Sequence, residues 1–380
     1  MSDRTTFRVV IAGGGVAALE AALALREFAG PRVSVQLVAP NAEFSYRPMS
    51  VREPFAYGPV DHFPLSDIAA DIGAELIVDE FAWVDTSKQV AHTAKDVELG
   101  YDALLLALGA RMRAPFGHGL TIDDLRMDEL LHGVVQDVEG GYIRSIAFVA
   151  PARMGWPLPL YELALMTAAR ADDMYVDDID LTIVTPEAAP LAIFGDEASK
   201  AVSALLSDAG ITVIPSAHAQ VPKKGQVVID RGETTLTVDR VIVLPELFGP
   251  SVRGVPAGEH GFIAIDGHAK VRGVEGVYAA GDAADFPVKF GGLAAQQADA
   301  AAESIARLAG APVTPQRFHG TIHGILLTGR KPRYLTAHLS GSRGFRSQIT
   351  ETATWMPATK IAAQYLAPYL ARRAQAPNAA

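Results

Sequence analysis

A glycine turn between a strand and a helix, at the start of the chain, constrains the fold most. "RVVIAGGGVAALEAALALREF" reads as an apolar strand, a turn at Gly13-Gly14-Gly15 and an alanine-rich helix, with the pattern Gly13-x-Gly15-x-x-Ala18. Gly13 allows the tight turn, and Gly15 lets the backbone approach a pyrophosphate. Ala18, with Ala17 before it, is small enough for close helix–strand packing. The free N–H groups and the positive end of the helix then face the phosphates. The spacing predicts a dinucleotide-binding turn; the alternative is an ordinary glycine-rich strand–helix connection.

The next strand, "VSVQLVAP", ends at Ala39-Pro40, where a carboxylate for the ribose hydroxyls is expected. Asn41 is the polar side chain left to serve there. "YDALLLALGARMRAP" reads as a buried strand ending at Ala107 and Gly109, where the chain leaves the first domain. "VEGVYAAGDAADFPVKFGGLAAQQADAAAESIARLAG" reads as a strand ending in Gly281-Asp282, then a loop, then a helix from about Gly292 and Leu293. Asp282 is placed to take a ribityl hydroxyl, and the helix N-terminus to favour negative charge on a reduced ring.

Composition removes whole classes of function. The 380 residues contain no cysteine, which excludes disulfides, dithiol centres, persulfides and thiolate nucleophiles. A net charge of −10 argues against nucleic-acid binding. The start, "MSDRTTFRVV", shows no signal pattern, and no apolar run reaches the roughly 20 residues of a membrane span. These features place the chain in the cytoplasm, with peripheral contact at the inner face of a membrane left open.

"GGGVAALEAA", "LLLALGA", "VYAAGDAA" and "KFGGLAAQQADAAAE", in that order, resemble the two-dinucleotide-domain flavoproteins of the pyridine nucleotide–disulfide oxidoreductase superfamily. The chain looks most like the branch of type II NADH dehydrogenases, sulfide:quinone oxidoreductases and flavocytochrome c sulfide dehydrogenases. "FSYRPMSVREPF" matches that branch and implies that Arg47 and Pro48 lie near the flavin. "GILLTGRKPRYL" matches its entry into the C-terminal region. Leu108 departs from the usual threonine. The resemblance implies an α/β fold with two Rossmann-like domains of the three-layer ββα type. A discontinuous FAD domain (1–112 and 259–325) would flank an NAD(P)-binding-like domain (113–258), with a C-terminal interface region (326–380). FAD is the implied cofactor.

The second phosphate loop is the anomaly. Where G-x-G-x-x-G is expected, the chain has Gly155-Trp156-Pro157-Leu158-Pro159-Leu160. Proline supplies no N–H and fixes φ, and Trp156 adds bulk where the backbone should meet a ligand, so NAD(P)H binding is uncertain. Glu187, after the next strand, stands where it can accept a ribose hydroxyl or remain solvated. The sulfide-oxidising relatives also lose this loop, yet they need cysteines that this chain lacks. Glu162 occupies the position of a flavin-side glutamate of the type II dehydrogenases, implying a proton shuttle; the plain alternative is an exposed acid at a helix N-terminus. Trp156 and Tyr161 are placed to line the flavin or to pack in the core.

His319 and His323 have helical i,i+4 spacing but no third ligand, so no metal is expected. Ile361, Tyr365, Leu366, Tyr369 and Leu370 form an apolar stripe flanked by Lys360, Arg372 and Arg373. It suits packing on the body or a dimer contact, with membrane docking as the branch's alternative. The last nine residues or so are expected to lack order. The expected function is electron transfer through FAD to a quinone or other small acceptor, from a small-molecule donor not specified by the sequence. The alternatives are an NAD(P)H dehydrogenase with an altered pose and a flavin-bearing subunit of a complex. A homo-oligomer is expected.

Overall fold

The structure, a computed structural model, describes residues 6–340 and 343–375. In chain order the strands of its three main sheets are β1 (Phe7–Ala12), β2 (Val33–Ala39), β3 (Glu75–Val78), β4 (Ala103–Leu106), β5 (Leu120–Thr121), β6 (Ser145–Val149), β7 (Asp180–Val184), β8 (Ile211–Ile214), β9 (Arg240–Val243), β10 (Val277–Ala279), β11 (Thr321–Leu326), β12 (Arg333–Ser340) and β13 (Arg343–Thr350). The helices are α1 (Val16–Phe28), α2 (Leu65–Ile72), α3 (Met127–Glu139), α4 (Leu158–Asp173), α5 (Asp196–Asp208), α6 (Gly291–Leu308) and α7 (Leu366–Gln375).

The first sheet has the order β10-β4-β1-β2-β3, and every pairing in it is parallel. Its central strands are continuous apolar runs because both faces are covered, one by α1 and α6 and the other by a small antiparallel sheet (Phe81–Asp85, Val90–Thr93 and Glu98–Gly100): all four residues of β4 and the last four of β1 are buried. The second sheet, β5-β9-β6-β7-β8, repeats the plan. In each, the strand order turns at one point, between β1 and β4 and between β6 and β9. Crevices at such switch points take ligands, and the strand ends of both sheets border one cleft. The third sheet, β11-β12-β13, is antiparallel and packs on α4, α5, α6 and the turn Ala192–Phe194.

Boundaries read from the sequence shift by a residue or two. Helix α4 begins at Leu158, inside the proline loop, with Pro157 at its N-cap and Pro159 in its first turn. There the missing N–H costs nothing and the fixed φ favours a helical start. The prolines therefore initiate α4. The histidine pair is corrected: His323 lies on strand β11 and His319 precedes it, so their spacing puts them on no common helix face.

The C-terminal stripe turns inward. Ile361, Leu366, Tyr369 and Leu370 are buried in the same core as β1 and α1, and α7 packs on α1. Tyr369 Oη donates to Asp71 at 2.7 Å, and Arg373 bridges Asp67 and Asp71 at 3.1 and 2.7 Å. This apolar face is spent on the protein's own body. The expected disorder at the tail meets helix through Gln375; residues 376–380 lie outside the described residues. No helix among the described residues is long and apolar enough to cross a membrane.

Candidate functional site

The cleft between the two parallel sheets holds about 1100 Å³, at or above the roughly 300–1,000 Å³ of ordinary small-molecule sites. Gly13, with φ +133°, opens it: a Cβ there would fall 2.1 Å from Ala107 O. Gly14 abuts Ala39 and Leu65, whereas Gly15 has no neighbour within 4 Å and faces open space. No side chain caps α1, leaving its first N–H groups for a phosphate. This cradle, a pyrophosphate-sized gap under an uncapped helix, fits FAD.

Gly13, Gly14, Gly15, Ala17, Asn41, Arg47, Pro48, Ala107, Gly109, Gly281, Asp282 and Glu162 all line this cleft. Three residues expected there do not. Ala18 is fully buried, as close packing of α1 demands, and Leu293 is buried in the second core. Gly292 faces the Phe290 ring, 2.8 Å from where its Cβ would stand. Phe290, Gly291 and Ala294 line the cleft in their place. The helix begins at Gly291, and Gly292 and Leu293 lie on its buried side. Burial raises the Asp282 carboxyl above its ordinary value, against the pull of Lys289 and Arg47.

Sequence reading missed Lys289. Its ammonium donates to Ala284 O and lies 3.9 Å over the Phe262 ring. Burial pulls it down to about 8. Its stem and Leu247 pack against Gly155, where a Cβ would come within 2.7 Å of each. The surviving glycine of the second loop thus admits protein side chains.

Of the two readings of Glu162, the partly exposed acid falls, because the side chain is buried. It is 1% exposed and pairs with Lys360, 5% exposed, at 2.7 Å. Lys360 Nζ also donates to Pro48 O at 2.9 Å, and the Leu327 N–H donates to Glu162 at 2.9 Å. Burial raises the carboxyl and lowers the ammonium, each beyond what the partner restores. Both residues line the cleft. The separation of 198 residues hid the pair from sequence reading.

The crevice of the second sheet is filled from within. Tyr161 Oη donates to Glu187 at 2.7 Å, and Thr185 Oγ1 donates to the same oxygen at 3.2 Å. Burial pushes the Glu187 carboxyl up to about 7. Tyr161, Leu191 and Phe194 are fully buried beside it. Trp156 stacks on Phe290 at 4.4 Å and meets Phe194 edge-on at 5.6 Å. Trp156 therefore lines the cleft, while Tyr161 belongs to the core. The third sheet closes the crevice from outside: Gly344 sits so tightly on Ile193 O that a Cβ would come within 2.1 Å.

Two parallel sheets, one glycine cradle and one shared cleft define a dinucleotide-binding flavoprotein of the oxidoreductase class, with FAD as cofactor. The chain belongs to the pyridine nucleotide-disulphide oxidoreductase family, whose model matches residues 7–141 and 161–304. The match lapses across the proline loop and resumes at Tyr161.

Among solved structures, the chain is similar to the sulfide:quinone oxidoreductase of Aquifex aeolicus (16% identity, 91% of this chain and 87% of that one, TM-score 0.79). It is similar to a ferredoxin reductase of Rhodopseudomonas palustris (21%, 88% and 83%, TM-score 0.66). A third likeness is to an NAD-dependent persulfide reductase of A. fulgidus (19%, 87% and 64%, TM-score 0.60). At these identities the likeness is one of fold. No curated protein matches the sequence.

Proposed function

We propose that this flavoenzyme takes an electron pair from a donor other than NAD(P)H in the usual pose and passes it to a quinone or similar small acceptor. The observation that carries the reading is the Tyr161–Glu187 contact. The carboxylate that would accept a nucleotide ribose is held by the protein's own phenol, in a crevice packed with Leu191 and Phe194. A nucleotide binding there would have to break that bond and displace buried side chains.

In this reading Gly13, Gly14, Gly15 and the N-terminus of α1 hold the pyrophosphate of FAD, and Asp282 takes its ribityl chain. Arg47, Pro48, Ala107 and Gly109 border the ring. FAD, when bound, supplies two-electron chemistry. The protein's part is to orient it, exclude water and handle protons. Glu162 and Lys360 form one proton-exchanging pair on the cleft wall, as reduction of a quinone to a quinol requires. Without cysteine, sulfide cannot be taken up as a protein-bound persulfide.

The test is an anaerobic titration of the purified protein with NADH and NADPH, following flavin absorbance, and then reoxidation of dithionite-reduced protein by a short-chain ubiquinone. Bleaching by micromolar nucleotide overturns the donor half of the reading. Failure of the quinone to restore absorbance overturns the acceptor half.

A further inference from the structure

Asp124 lines the cleft with its side chain one-third exposed and a single distant ionic partner. It follows β5, on the loop that leads into α3, and lines the cleft with Arg47 and Ser50. Arg47 Nη1 lies 3.8 Å from Asp124 Oδ1, close enough for attraction but too far for a hydrogen bond. Asp124 Oδ1 is buried and accepts no hydrogen bond from the protein, and the Ser50 hydroxyl is equally buried and unpaired. Buried polar atoms are nearly always paired. Two buried polar atoms without a hydrogen bond in one cleft, with the Arg47 guanidinium near the first, mark where the polar groups of a ligand go.

We propose that Asp124 is the base for the electron donor, and that the donor is a small hydroxy acid. Its carboxylate would be held by Arg47, and its hydroxyl by Asp124 and Ser50. The inference rests on the reading that nicotinamide is not the donor, and it names what replaces it. A dihydronicotinamide gives up a hydride and leaves no proton behind, so it needs no base. A hydroxyl-bearing carbon gives up both. Its C–H and O–H bonds break and a C=O bond forms. FAD, when bound, would take the carbon's two electrons as a hydride, and the Asp124 carboxylate would take the hydroxyl proton. From there it reaches solvent past Leu125, which lines the cleft and is 60% exposed.

The surroundings suit a base. Burial raises the Asp124 carboxyl; Arg47 opposes the rise, while Asp123 and Asp282 add to it. A carboxylate moved toward neutrality accepts a proton better than an ordinary aspartate does.

The experiment uses the flavin-loaded full chain without oxygen, with glycolate, lactate and ethanol as probes. Glycolate or lactate is expected to bleach the flavin, faster as pH rises through the Asp124 ionisation, and ethanol to do so far more weakly for want of a carboxylate. Asp124→Asn is expected to slow bleaching by about 10²–10⁴-fold. Flavin content separates a lost base from a lost fold; if the asparagine variant sheds its flavin, Asp124→Glu is read instead, with bleaching slowed but measurable. Independently of turnover, the protonated-carboxyl infrared band that grows on acidification is expected to lose a component in Asp124→Asn. The proposal is overturned if neither hydroxy acid bleaches the wild-type flavin, if the variant bleaches at the wild-type rate, or if its infrared titration is unchanged. Bleaching by NADH would instead sink the underlying donor reading, so the two failures are distinct.

Discussion

Replacing Lys360 with methionine isolates the buried ion pair of the cleft. The wild-type ammonium serves both Glu162 and Pro48 O, at 2.7 and 2.9 Å. Methionine keeps the length and apolar stem but leaves Glu162 with one hydrogen bond, from the Leu327 N–H. Removing one member of a buried pair costs about 3–5 kcal/mol, most of it from the stranded charge.

The pH dependence follows from the sign of the shift. Burial already holds the Glu162 carboxyl above its ordinary value, and Lys360 pulls it back. Without the lysine it rises further, so the folded variant binds a proton that the unfolded chain releases. The variant's deficit is therefore largest at alkaline pH and shrinks as pH falls through the folded-state pKa of Glu162. Urea unfolding of flavin-loaded protein, followed by circular dichroism at several pH values, gives the number. The double variant Glu162→Gln/Lys360→Met should recover part of the loss, since no charge remains stranded. A single-variant loss under about 1 kcal/mol, or a double variant as weak as the two single losses added, would refute the reasoning.

Three further outcomes follow from the same structure. Gly13→Ala drives a methyl to 2.1 Å from Ala107 O and should yield folded protein without flavin, read as the ratio of visible to ultraviolet absorbance. Glu187, raised to about 7, makes the fold less stable as pH rises from about 4.5 to 7, by up to roughly 3 kcal/mol; Glu187→Gln should flatten that slope in urea titrations. Glu20→Ala removes the carboxylate that accepts the Tyr365 and Leu366 N–H groups, so hydrogen exchange should accelerate across residues 365–375 while α3 stays protected.

Local patterns were legible in the sequence wherever one segment carries the physics. Gly13-x-Gly15 needs only its flanking strand and helix, and the apolar runs of β1, β4 and β6 signal parallel strands covered on both faces. The proline loop was legible as a loss of donors, though not as the efficient start of α4. What stayed hidden depends on contacts between distant residues. Glu162 and Lys360 are one site only after folding, as are Tyr161 and Glu187. Asp124 sits in "TIDDLRM", which has no motif at all. The role of Glu20 was hidden because its partners, the Tyr365 and Leu366 amides, leave no trace in a sequence. The helical spacing of His319 and His323 carries no meaning, because His323 lies on a strand and His319 precedes it.

The contact between Glu20 and the start of α7 sets an order of events in the life of the molecule. The carboxylate emerges from the ribosome 345 residues before the first amide that it will meet at Tyr365. At about 5–20 residues per second, that interval is roughly 20–70 s. During it the first glycine turn can form, but one wall of the flavin cleft, at Lys360 and Ile361, has not been made. A nascent chain that captured FAD early would hold it in an open trough, with a charged Glu20 still in water. Docking of the last segment both buries that acid and completes the cleft. A chain that stops before residue 360 lacks that wall and is expected to retain FAD less well than the full chain.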